Sequence, residues 1–147
     1  MKKRRLSREF AFQFLYQRDA NGLLHEEVSR EITEKDFERF VEASEEKNPS
    51  DKKFAVDIAS GICEKINEID SRIENCSDNW KISRMSAVDI NIMRVAVYEL
   101  LYMRDIDKAV SINEAIEIAT KYGTEESGTF INGILDKIQT EATTSNA

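Results

Sequence analysis

The chain has 147 residues, 33% of them charged, with one proline, five glycines and a formal net charge of -7 at neutral pH. That length holds about one domain, 1–147, able to bury on the order of 70% of its unfolded surface. The scarcity of Pro and Gly, and the lack of alternating Val/Ile/Thr runs, exclude a sheet and predict an all-α fold. No apolar run approaches the roughly 18 residues of a membrane span, and the basic start leads into charged residues, so neither a span nor a signal peptide is expected and the protein is placed in the cytoplasm.

Residues 1–8 hold Lys2, Lys3, Arg4, Arg5 and Arg8 and no acid. With 21 Lys and Arg against 28 Asp and Glu in all, setting these five bases aside leaves the remainder at -12. A basic N-terminal arm (1–7) on an acidic body suits a protein that meets a polyanion at one end and a basic partner elsewhere. Ser7 is placed to cap a first helix that runs to Gly22. Phe10, Ala11 and Phe14 share one side of it, whereas Arg5, Arg8, Phe12 and Tyr16 line up on nearly the opposite side. Guanidinium groups beside ring faces serve the phosphates and unstacked bases of single-stranded nucleic acid. The competing reading packs Phe12 and Tyr16 on a neighbouring helix. His25 falls in a polar loop and reads as solvated surface.

Residues 28–47 form an acidic amphipathic segment with Val28, Ile32, Phe37, Phe40 and Val41 as anchors. Asn48-Pro49-Ser50 breaks the chain, and Ser50 or Asp51 caps the next helix. Phe54, Ile58, Ile62, Ile66, Ile69 and Ile73 predict that helix to be a single long one across the middle of the domain, with Gly61 at a close crossing. Cys63 and Cys76 lack a second Cys or a His at ligand spacing and read as small buried hydrophobes. Residues 77–83 are a linker whose Trp80 is expected to plug the core. Ser86 and Asp89 form a weak capping box that opens a helix apolar nearly all round and hence buried. Asp89, at its exposed start, is available to a partner.

Ser111 and Glu114 form a capping box that predicts a helix from near Ile112, ended by Gly123 in the left-handed C′ geometry. The last helix is expected to open at Thr124, with Glu125 and Glu126 in its first turn. Ile131, Ile134, Leu135 and Ile138 fall on one face with Phe130 at its rim and Glu126 one turn before it. Gly133 is read as a point of close helix packing, and about 140–147 as a flexible tail. No metalloprotease, P-loop, dinucleotide or nucleophile-elbow motif occurs, so no catalytic residue, metal or cofactor is expected.

The stretches SREFAFQFLYQ, VDINIMRVAVYELLY, VSINEAIEIATKYG and TFINGILDKI, in this order and spacing, resemble the NusB family of bacterial transcription antitermination factors. The similarity leaves out only residues 23–50 and the tail after Ile138. It implies an all-helical fold of two small packed helical bundles. It also implies binding to the boxA element of nascent ribosomal RNA transcripts together with NusE, a small-subunit ribosomal protein, in an antitermination complex on RNA polymerase. The RNA contacts implied fall on Lys2, Lys3, Arg4, Arg5, Arg8, Tyr16, Glu126 and Phe130, and the NusE contact on the helix that starts at Asp89. Asp107 stands where the family usually has Pro, which predicts a looser turn, and Leu6 and Ser7 interrupt the basic run. The alternatives are a helical protein-interaction module without sequence-specific RNA binding, and a homodimer that buries the RNA face.

Overall fold

The computed structural model describes residues 2–44, 51–78 and 80–145. The expected break at Asn48-Pro49-Ser50 lies outside them. Among the described residues there are seven α-helices and no strand: α1 (Lys2–Ala20), α2 (Arg30–Ala43), α3 (Lys52–Glu64), α4 (Ile66–Asn75), α5 (Ala87–Tyr102), α6 (Lys108–Tyr122) and α7 (Ser127–Ser145), with a short 3₁₀ turn at Ile82–Arg84. They fall into two compact units, Met1–Ile66 and Asn67–Ala147. No helix among them is long and apolar enough to cross a membrane.

In the first unit α3 packs on both α1 and α2. Phe14 meets Phe37 and Phe40 edge-on, with ring centres 5.2 and 5.7 Å apart, the geometry that aromatic quadrupoles favour. Ser29 caps α2 by accepting from the Ile32 amide. That start sets the helical phase so that Thr33, Phe37 and Val41, four apart, are buried. Ile32, expected as an anchor, is 51% exposed as a consequence. Of the two caps expected, Ser50 or Asp51, Asp51 caps α3, its carboxylate accepting from the Phe54 amide at 3.1 Å.

The long isoleucine helix is in fact two. At Lys65 the backbone leaves helical geometry (φ -107°, ψ 18°), its N–H still bonded to the carbonyls of Gly61 and Ile62, and α4 resumes at Ile66. The division between the two units falls at the same place.

The second unit is built on α5, which packs on α6 and α7 while those two pack on each other. Residues 90–97 of α5 are all buried, as its all-round apolar pattern predicts. Ser86 caps it, accepting from the Asp89 amide at 3.0 Å. Within this helix Arg94 is 1% exposed. Its guanidinium donates to both carboxylate oxygens of Asp70 on α4, at 2.8 and 2.9 Å, and to the side-chain oxygen of Asn91 at 2.8 Å. The Asn91 amide in turn donates to the Ala87 carbonyl at 2.8 Å.

The start of α6 corrects the sequence reading. Asp107 is the cap, accepting from the Ala109 amide at 2.9 Å, and the helix begins at Lys108, a turn early. Ser111 and Glu114 lie buried inside it, and the Ser111 hydroxyl donates to Glu99 of α5 at 2.8 Å. Asp107 therefore secures the turn that it was expected to loosen.

Gly123 ends α6 with φ at -101°, outside the left-handed region. Glycine is needed there for another reason: a Cβ would lie 2.5 Å from the Ser127 hydroxyl oxygen and 2.8 Å from its Cβ. That hydroxyl accepts from the Thr124 amide at 3.0 Å, and α7 starts at Ser127 instead of Thr124. Ile131, Ile134, Leu135 and Ile138 are buried as expected. Gly133, about 200° around the helix from Ile131, is exposed, with nothing near the place of a Cβ, so it marks no close packing. The helix continues to Ser145, through most of the segment expected as a tail.

Cys63 is half-buried and Cys76 is buried. The Cys76 thiol, in the turn after α4, donates to Glu141 at 3.0 Å. Burial, with the Glu141 carboxylate adding to it, pushes this thiol from its usual 9.0 up to about 11.

These buried groups set two measurable outcomes. Replacing Asp70 by Ala strands the Arg94 charge in the interior, and urea unfolding monitored by circular dichroism should show a loss of about 3–5 kcal/mol. Because the folded state holds the Cys76 proton more tightly, its contribution to stability is present below about pH 9 and lost as pH rises towards 11. At pH 8 iodoacetamide should leave Cys76 of the folded protein unmodified and should alkylate it in urea, as peptide mass mapping would show.

Candidate nucleic-acid interface

In the first unit the basic segment is the opening of α1 and not an arm preceding it. Lys2 and Lys3 occupy its first turn, their side chains outside the described residues. Arg4 donates to Asp51 at 3.3 Å and lies over the Phe54 ring, 4.3 Å from its centre, yet its side chain is 42% exposed. Arg5 and Leu6 are half-buried. Ser7 is a tether and not a cap, because it sits inside the helix and its hydroxyl donates to the Asp51 carbonyl at 3.0 Å. One residue, Asp51, thus caps α3 and holds the opening of α1.

The expected stripe of Arg5, Arg8, Phe12 and Tyr16 does not face outward as a set. Arg8 is 2% and Phe12 3% exposed, whereas Tyr16 is 42% exposed and meets Phe12 edge-on at 6.3 Å. The burial of Arg8 has a physical partner in the Phe54 ring, 5.2 Å from its guanidinium, since an aromatic face attracts a cation. The packing alternative therefore holds for Phe12, and exposure holds for Tyr16.

In the second unit Phe130 sits at the rim of the buried face of α7, half-buried, as the periodicity predicts. Trp80 is no plug: it is 51% exposed. Its ring meets Phe130 with centres 6.1 Å apart and planes at 67°. The turn that carries it is fixed, with the Trp80 amide donating to the Ser77 carbonyl at 3.2 Å and the Ser77 hydroxyl donating to the Trp80 carbonyl at 2.7 Å.

Two grooves flank the aromatic pair. One runs along Cys76, Ser77, Asp78, Gly133 and Lys137, where Lys137 and Asp78 pair at 2.6 Å. The other is lined by Arg84, Met85, Ser86, Asp89 and Glu126. Glu126 is exposed, and its carbonyl accepts from the Phe130 amide at 3.1 Å. Asp89, expected to be exposed, is half-buried, and one of its carboxylate oxygens is buried with no hydrogen-bond partner in the protein. Such an oxygen needs a donor from outside, because a buried unpaired acceptor costs about 1–3 kcal/mol.

The chemistry of this second set is defined. Ring faces stack on unpaired bases, and carboxylates accept from base amino groups such as that of cytosine. Two acids in one groove repel phosphates, so base edges and not the sugar-phosphate chain suit that side. Trp80 and Arg84 escaped the sequence reading. The available signal was a lone tryptophan between Asn79 and Lys81, in a stretch with no helical periodicity to bury it. No group of three or more His, Cys, Asp or Glu placed to hold a metal occurs among the described residues.

Comparison with known proteins agrees with this architecture. The model of the NusB family matches residues 5–140. The transcription antitermination protein NusB of Geobacter sulfurreducens is 48% identical over 139 residues, which is 94% of each chain. That of Thermodesulfovibrio yellowstonii is 44% identical over 140 residues, 95% of this chain and 93% of its own. Among solved structures, T. maritima NusB superposes with a TM-score of 0.78 at 39% identity, over 94% of this chain and 91% of that one. The crystal structure of antitermination factors NusB and NusE in complex with dsRNA gives 0.78 at 29% identity, over 96% and 98%. With the family model spanning nearly all of its length and relatives this similar, the chain belongs to the NusB family.

Proposed function

We propose that this chain is a cytoplasmic transcription antitermination factor that binds boxA RNA of nascent ribosomal RNA transcripts together with NusE, within an antitermination complex on RNA polymerase. The observation that carries the reading is the exposed Trp80 against the half-buried Phe130, beside Glu126 and Asp89, in a family whose solved relatives include a NusB–NusE complex with RNA. The role is one of binding, with no catalytic step and no cofactor.

Lys2, Lys3, Arg4 and Arg5 meet phosphates. The ion pair of Arg4 with Asp51 leaves both side chains over a third exposed, and exposed pairs contribute only about 0–1 kcal/mol. A phosphate therefore displaces Asp51 at little cost. Arg8, behind them, adds positive potential without touching RNA. Tyr16 and Phe130 offer ring faces to unpaired bases, and Glu126 accepts from a base edge. Asp89 takes a donor from NusE at its unpartnered oxygen. The body at -12 repels RNA, and a basic co-binder offsets that field.

Phe130 tests this reading, because it stands between platform and core. Phe130→Ala should weaken binding of a boxA RNA by about 1–3 kcal/mol while the urea midpoint stays near that of the parent. A loss of about 3–5 kcal/mol in stability, with RNA affinity of the folded fraction unchanged, would make Phe130 a core residue and remove the base platform.

A further inference from the structure

We propose that Trp80 is a second base-stacking platform, which holds an unpaired RNA base next to the one on Phe130. The inference rests on the RNA-binding reading above and adds to it a residue outside the set implied by the family resemblance.

Three observations carry it. First, Trp80 is among the most exposed large apolar side chains of the protein, at 51%, although indole loses more than most side chains by facing water. Second, the ring is not on a loose loop. Two hydrogen bonds with Ser77 close its turn, and the Ile82 amide just beyond donates to the Glu74 carboxylate at 2.8 Å. A ring carried on a fixed turn loses less freedom than one on a loose loop when a base stacks on it. Third, the 67° angle to Phe130 is an edge-to-face contact, which takes up at most one face of one ring.

The surroundings select the ligand. Trp80 is the one aromatic side chain lining both grooves besides Phe130. Each groove holds a cation beside acids, Arg84 with Asp89 and Glu126 in one and Lys137 paired with Asp78 in the other, and Lys81, next in the chain, is exposed. Ring faces fit the bases of a single strand, which stack on them, while its phosphates keep to the side away from Asp89 and Glu126.

Trp80 is the only tryptophan, so its own emission reports on the contact. An unlabelled single-stranded boxA RNA should quench it, saturating at the concentration found independently by anisotropy of a fluorescein-labelled copy. Trp80→Ala should weaken RNA binding roughly 5- to 150-fold, the span of one stacked base, with an unchanged urea midpoint, and Trp80→Phe should restore most of the affinity. RNA that binds with no change in emission, and a Trp80→Ala affinity within twofold of the parent, would overturn this inference and leave the RNA reading intact. Quenching by NusE alone, with none by RNA, would reassign the ring to a protein contact. Failure of the parent protein to bind the RNA at all, with or without NusE, would overturn both.

Discussion

The buried fork between Arg94 and Asp70 is the constraint on which the second unit depends. A helix as apolar as α5 gains by burying every side, and it does so with a permanent cation in its middle, 1% exposed. An unpaired charge there would cost several kcal/mol. Two hydrogen bonds to Asp70 and one to Asn91 satisfy it, and their planar geometry fixes α4 against α5 in register. The turn carrying Trp80 leaves the end of α4, and α7 with Phe130 packs on α5. The aromatic pair therefore inherits its placement from a buried ion pair.

Asp51 plays a comparable part in the first unit. It caps α3, accepts from Arg4 and, through its carbonyl, holds Ser7. The basic segment is thereby a helix fastened at its base and not a swinging polycation. Cations held on a helix lose less freedom on meeting a phosphate chain than cations on a coil. The exposed Arg4–Asp51 contact is weak enough to yield to a phosphate.

Much of this was legible from periodicity. The buried sides of α5 and α7 and the rim position of Phe130 come from spacing, because burial of a regular helix repeats with its turn, and the Ser86 cap comes from residue type. What escaped was decided by distant groups. The break at Lys65 has no Gly or Pro, and Ile62, Ile66 and Ile69 keep helical spacing across it. Ser111 and Asp107 are both good caps by type, and the choice was made by Glu99 on another helix, which engages the Ser111 hydroxyl. Arg8 is buried against the ring of Phe54, far along the chain. Trp80 was misread because hydrophobicity predicts burial, whereas a turn closed by Ser77 holds the indole 51% exposed.

The most direct test of the role is fluorescence anisotropy of a labelled boxA RNA against a scrambled RNA of equal length, at fixed salt, with and without purified NusE. The expected result is a preference for boxA that NusE strengthens, with affinity falling against salt at a log–log slope of about -0.7 for each phosphate met. Equal binding to both RNAs, abolished by salt and indifferent to NusE, would contradict it and reduce the basic helix to a nonspecific polycation.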